Sequence, residues 1–123
     1  MARVAMLGAG VMGRAMAERL LAAGHDLAVY NRDTGKLAAL AAAGARTCAR
    51  PEDAVRNAEV VVSMVADDDA SRAVWLGPDG ALAALAPGAT AVESATVSQD
   101  WTRNLGARAA QAGVSFLDCP VTG

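Results

Sequence analysis

The stretch Gly8-Ala9-Gly10-Val11-Met12-Gly13 joins a short apolar run, Val4-Ala5-Met6-Leu7, to an amphipathic segment through three glycines spaced G-x-G-x-x-G. Each glycine has its own task. Gly8 can take a backbone conformation at a tight turn that a Cβ would penalise, Gly10 lets a pyrophosphate approach the main chain, and Gly13 lets a helix lie close on the strand. The first helical turn offers amides without intrahelical partners and a partial positive charge, so an anion fits there. Taken alone, the spacing could also be an ordinary strand-to-helix loop that binds nothing. The order of strand, glycines, helix and a second strand at residues 27–31 is what a dinucleotide site requires.

The 123 residues suffice for one domain with a single core. A hydrophobic fraction of 54% against 20% charged residues excludes disorder, and with only 3% aromatic residues alanine and aliphatic side chains must do the packing. A net charge of -2 leaves no electrostatic footprint for nucleic acid or for an anionic membrane. No run of about eighteen apolar residues suggests a membrane span. The first strand starts at residue 3 or 4, so no leader is expected. Cys48 and Cys119 lie far apart and the chain has one histidine, so neither a zinc site nor a disulfide framework is indicated. A reducing cytoplasm is the expected compartment.

The pattern predicts a first helix over 11–23, with Met12, Met16 and Leu20 toward the sheet and Arg14 paired with Glu18 outside. Gly24 ends it, and His25 reads as a solvated loop residue. A second helix is expected over 34–43, with Leu37, Leu40 and Ala41 inward and Gly44 as its stop. A short strand at 45–49 and a short helix opened by Pro51-Glu52-Asp53 come next. The run 60–65 reads as a buried parallel strand beside strand one. Asp67-Asp68-Asp69 resembles a metal cluster on paper, but three acids ahead of a helical run at 70–76 are what a helix N-terminus prefers. A turn at Gly77-Pro78-Asp79-Gly80 precedes a short helix at 81–85, and Pro87-Gly88 precedes a strand at 90–93. Ser98 caps a helix with Trp101, Leu105 and Ala109 on one face. Gly113 stops it before a sixth strand at 115–118.

Six strands alternating with helices imply an α/β doubly wound parallel sheet, a Rossmann fold with strand order 3-2-1-4-5-6. Its ligand crosses the carboxyl ends of the strands where that order reverses, between strand one and the strand at 60–65.

An NAD-preferring site places an Asp or Glu at the end of the second strand for the ribose 2′-hydroxyl. Here that place reads Tyr30-Asn31-Arg32-Asp33-Thr34. Asn31 is neutral, Arg32 offers a planar fork for a phosphate, and the Thr34 hydroxyl and Lys36 charge follow. The pocket suits NADP in preference to NAD. Asp33 opposes this if its side chain faces the pocket, and a solvated Arg32 is the competing reading.

Four motifs in order carry a family resemblance: Gly8 to Ala17, Gly24-His25 ahead of a strand ending Asn31-Arg32, Glu93-Ser94-Ala95-Thr96, and Asp118-Cys119-Pro120-Val121-Thr122-Gly123. Together they resemble the β-hydroxyacid dehydrogenases, the 3-hydroxyisobutyrate dehydrogenase group related to 6-phosphogluconate dehydrogenase. The resemblance implies that Met64, Val65 and Ala66 border the cofactor and that Thr96 meets its nicotinamide riboside end. It implies that Thr122 and Gly123 open the loop that holds a substrate carboxylate. Cys119 stands where the family often has alanine, and is expected to be a small buried thiol.

The family passes its proton through a lysine of a helical domain that follows the dinucleotide domain. Lys36 is the only lysine here and falls at the adenosine end. The resemblance therefore implies no catalytic residue within these 123 positions, a proton-transferring lysine after Gly123, and a homo-oligomer formed through the helical domain. The expected function is NADP binding for an oxidoreductase acting on a small β-hydroxy acid or its semialdehyde, with little or no turnover by this chain alone. The competing readings are the cofactor domain of an imine reductase and a non-enzymatic dinucleotide-binding module.

Overall fold

The alternating pattern resolves, in a computed structural model, into one sheet of six parallel strands ordered β3-β2-β1-β4-β5-β6. Residues 1–121 are described. The strands are β1 (Arg3–Leu7), β2 (Asp26–Tyr30), β3 (Arg46–Cys48), β4 (Val60–Ser63), β5 (Thr90–Glu93) and β6 (Ser115–Asp118). The helices are α1 (Val11–Ala22), α2 (Ala38–Ala42), α3 (Pro51–Ala54), α4 (Asp68–Leu76) and α5 (Gln99–Gln111), with 3-10 turns at Thr34–Leu37 and Leu82–Ala84. The predicted strand order and the reversal between β1 and β4 are both present.

The sheet separates two cores. On one face Val4, Met6, Leu27 and Val29 pack under α1 and α2 against Ala17, Leu37 and Leu40. On the other, Ala5, Leu7, Val61 and Ala91 meet Trp75, Trp101 and Leu105 from α4 and α5. Both tryptophans lie in this second core, where each large side chain shielded from water contributes about 1.5–3 kcal/mol. The acids at 67–69 behave as a helix start: Asp67 caps α4 by accepting from Ala70 N at 2.9 Å. Ser98 caps α5 by accepting from Trp101 N at 3.1 Å. Caps of this kind are worth about 1 kcal/mol each.

Several boundaries differ from the sequence reading, each for a local reason. The helix expected over 34–43 divides, because Asp33 accepts from Gly35 N at 3.0 Å and from Lys36 N at 3.2 Å and so tightens the first turn. Leu37 and Leu40 point inward, but Ala41 is exposed. In α1 the buried positions are Gly13 and Ala17, while Met16 and Leu20 are half-buried at the core edge. β4 ends at Ser63, and its Val60 and Val62 are only half-buried. Right-handed crossovers place α1 and α2 over β1 to β3 and place α4 and α5 on the opposite face, so the α1 side of β4 to β6 has no helix over it among the described residues. Leu117 on that side is 51% exposed. Cys119 is exposed, not buried, because it follows the edge strand β6. His25 is half-buried, its Nδ1 accepting from Ala2 N at 3.2 Å. Among the described residues no helix is long and apolar enough to cross a membrane.

Candidate nucleotide-binding site

At the carboxyl ends of β1 and β4 the chain opens a cleft of about 460 Å³, within the size range of small-molecule sites. Gly8, Gly10, Val11, Met12 and Gly13 form its floor, and Asn31, Arg32 and Lys36 one end. Met64, Val65 and Ala66 form the opposite side, backed by α4. The reversal of strand order creates the opening, since the connections from β1 and β4 leave toward opposite faces of the sheet.

The glycines divide their work as the spacing predicts, with one refinement. Gly8 has φ +109°, and a Cβ on it would overlap the Met64 carbonyl oxygen. A Cβ on Gly13 would lie 2.5 Å from the Gly8 carbonyl oxygen, so Gly13 seats α1 on the turn itself. Gly10 has nothing within 4 Å of its would-be Cβ, which leaves that side of the main chain open to a ligand. Arg14 N makes the first helical bond, to Gly10 O at 2.8 Å, so the amides of Val11, Met12 and Gly13 have no helical acceptor behind them.

Among the three helices of more than two turns, electrostatics set this end apart. α1 has no side-chain cap and no acid in its first turn, whereas α4 has Asp68 and Asp69 and α5 has Asp100. Arg32 and Lys36 enter none of the ion pairs among the described residues. Asp33, which would oppose a phosphate, is turned away to cap Gly35 and does not line the cleft. An uncapped helix dipole and two cations without counter-ions fit a ligand carrying several negative charges. The open side of Gly10 leaves room for such a group to approach the main chain.

The structure brings together most of the predicted residues. Ala9 sits beneath the turn, buried, and donates its amide to Asn31 Oδ1 at 2.9 Å. Thr34 is not in the cleft. It lines a separate depression with Leu37, Thr47 and Cys48, because the tightened 3-10 turn carries its side chain past the Asn31 and Arg32 end of the cleft. Thr96 does not line the cleft either; it lies in a separate hollow after β5, with Arg103 and Asp118. Thr122 and Gly123 lie outside the described residues. Met12, assigned to the core by its spacing, faces the cleft instead.

Residues that the sequence reading did not single out are Tyr30, Ala70, Ala73 and Val74, which complete the cleft wall. A second omission is Glu93, fully buried at the end of β5. Burial pushes its carboxyl above the usual range, against the hydrogen bonds it receives. A carboxylate closing an otherwise apolar strand was the signal available in the sequence.

Comparison with known proteins agrees with this geometry. Residues 3–123 match the family described as the NAD binding domain of 6-phosphogluconate dehydrogenase. The chain is 37% identical to the NAD-dependent L-serine dehydrogenase of Pseudomonas aeruginosa, over 100% of its own length and 41% of that enzyme's. A structure of Mycobacterium tuberculosis 3-hydroxyisobutyrate dehydrogenase with L-serine superposes with a TM-score of 0.92 at 32% identity, covering 100% of this chain and 41% of that one. An imine reductase from Myxococcus stipitatus in complex with NADP+ superposes with a TM-score of 0.84 at 28% identity, over 93% and 39%. The chain thus spans about two-fifths of the length of these relatives. It belongs to the family described as the NAD binding domain of 6-phosphogluconate dehydrogenase.

Proposed function

We propose that this chain is the NADP-binding domain of an oxidoreductase that moves hydride between the nicotinamide and a small β-hydroxy acid or its semialdehyde, in the cytoplasm. One observation carries the cofactor choice: Arg32 and Lys36 line the same cleft as the uncapped start of α1, and no acid lines it. The amides of Val11, Met12 and Gly13 would hold the diphosphate, and Arg32 and Lys36 the 2′-phosphate. Asn31 would fix the turn, Met64, Val65 and Ala66 would flank the nucleotide, and Thr96 would meet the nicotinamide riboside. When bound, the nicotinamide supplies or accepts the hydride.

Proton transfer needs a second group. Lys36, the sole lysine, belongs to the adenosine end and cannot serve the reacting carbon. The chain alone is expected to bind NADP(H) and to turn over little or nothing, with the lysine and the oligomer contact supplied by a helical region of the full-length protein. Thr122 and Gly123 would start the loop that holds the substrate carboxylate. A measurable rate with a 3-hydroxy acid from these 123 residues would overturn this division of labour.

Arg32→Glu tests the cofactor assignment. A charge-assisted hydrogen bond is worth about 1.5–3 kcal/mol, so NADPH affinity should fall by roughly tenfold to more than a hundredfold, and NADH affinity should change little. Equal losses for the two coenzymes would refute it.

A further inference from the structure

Helix α4 has two working faces. Ala70, Ala73 and Val74 line the nucleotide cleft, while Ser71 and Trp75 point the other way, into the core. There they meet Glu93, the last residue of β5. Ser71 Oγ makes a short hydrogen bond to Glu93 Oε1, and Trp75 Nε1 donates to the same oxygen at 3.3 Å. Trp101 Nε1 of α5 donates to Ser71 Oγ at 2.7 Å. The Ser71 hydroxyl thus accepts from Trp101 with one of its two lone pairs and donates its single proton to Glu93. Oε2 is the acceptor for Ala95 N at 3.4 Å, one residue before Thr96. Glu93 enters none of the ion pairs among the described residues.

Glu93 is thus not an ion-pair partner, and no substrate could reach it, since it is 0% exposed. An apolar residue would fill the same space at lower desolvation cost. What the carboxyl adds is direction: one oxygen fixes the wall helix and the other fixes the strand exit. The far end of loop 94–97 is tied to the same helix. Asp68 accepts from Ser98 N at 2.8 Å and from Ser98 Oγ at 2.6 Å. Both ends of the loop carrying Thr96 are therefore referenced to α4.

We propose that Glu93 is a positioning residue. Through Ser71 and Trp75 it locks the cleft's wall helix to loop 94–97, and so sets the distance between the diphosphate cradle and the Thr96 hydroxyl. The role rests on the nucleotide-binding reading above. It predicts that loosening the network harms recognition of the nicotinamide half of the coenzyme and spares the adenosine half.

The test titrates the 123-residue chain with a reduced coenzyme and with its half lacking nicotinamide riboside: NADPH against 2′,5′-ADP, or NADH against ADP if the wild type prefers NADH. Ser71→Ala and Glu93→Ala should weaken the coenzyme by about tenfold more than the half-ligand, the loss expected of one hydrogen-bonded contact. Glu93→Gln, whose amide oxygen still accepts from Ser71 and Trp75 while its NH2 cannot accept from Ala95 N, should recover the part of the difference that comes through the wall helix, with the fluorescence enhancement of the bound reduced nicotinamide between those of wild type and Glu93→Ala. Equal loss of both ligands, or no loss of either, in folded Ser71→Ala overturns the positioning role even if Glu93→Ala does not fold. A wild-type chain that binds neither ligand overturns the nucleotide reading, and this role with it.

Discussion

Asn31 Oδ1 accepts the Ala9 amide at 2.9 Å while its Nδ2 donates to the Asp33 carbonyl at 2.8 Å, so one side chain ties the glycine turn after β1 to the loop after β2. The two substitutions at this position should separate geometry from charge. Asn31→Ala leaves a buried amide without an acceptor, at a cost of about 1–3 kcal/mol, and should weaken NADPH and NADH together. Asn31→Asp keeps the acceptor and brings a negative charge to the ribose end. Titration should show NADPH weakened and NADH retained or strengthened, and the same change for both coenzymes would remove Asn31 from the specificity argument.

The three glycines should give three different outcomes on mutation to alanine. At Gly8 the positive φ and the overlap with Met64 O both oppose a side chain, and at Gly13 the Gly8 carbonyl stands 2.5 Å from the new atom. Each substitution should destabilise the fold by about 2 kcal/mol or more, read as a lowered midpoint in urea. At Gly10 the space is open, so Gly10→Ala should cost about 1 kcal/mol or less in stability. It should still reduce coenzyme affinity by about tenfold or more, because its methyl occupies the diphosphate's approach. A Gly10→Ala variant with wild-type affinity would place the diphosphate elsewhere.

The sheet order and the glycine cradle were legible because both follow from local rules: alternation with right-handed crossovers, and a spacing whose backbone demands are fixed. Side-chain direction was harder to read where a turn tightened. Asp33 closes a 3-10 turn that i, i+4 periodicity cannot reveal, and that turn removes Thr34 from the cleft while leaving Lys36 in it. Met12 matched the spacing of a core residue, but the first turn of α1 lies beyond the sheet edge, so its side chain meets the cleft. Glu93 could be seen as a carboxylate at a strand end. Its side-chain partners Ser71 and Trp75 lie 22 and 18 residues away in sequence, a juxtaposition only the tertiary fold creates.

The buried Glu93 should leave a pH signature. Desolvation raises its pKa in the folded chain, opposed by hydrogen bonds from Ser71, Ala95 N and Trp75, and no basic group faces it from these elements. Between the ordinary glutamate value of about 4.3 and the raised one, the folded chain binds more protons than the unfolded chain. Its contribution to stability is therefore complete below that ordinary value and is lost as pH rises through the folded pKa. Glu93→Gln mimics the protonated form at every pH, so the variant's stability relative to wild type should rise as pH increases above the ordinary glutamate value of about 4.3. Asp68 behaves oppositely, because its side-chain and backbone hydrogen bonds from Ser98 hold it below the usual range. That slope is common to both proteins and cancels in the difference. Denaturant midpoints of the pair across this range check the prediction, and a flat or falling difference would mean that Glu93 ionises freely in the fold.

The two thiols should report on the fold independently of any ligand. Cys48, 8% exposed and in register with Tyr30, has its thiol pushed up by burial, with nearby Arg46 pulling the other way. A raised pKa and a closed environment both reduce the thiolate available to an electrophile. Cys119 follows β6 and is exposed. At about pH 8, an aromatic disulfide reagent should label one thiol rapidly and the other on the order of 100-fold more slowly, since reaching Cys48 requires local opening of the edge strand β3. Cys119→Ser should abolish the fast phase, and urea should make the remaining thiol fast. Two fast thiols in the folded chain would mean that the end of β3 does not stay paired with β2 at Tyr30, a residue of the cleft wall.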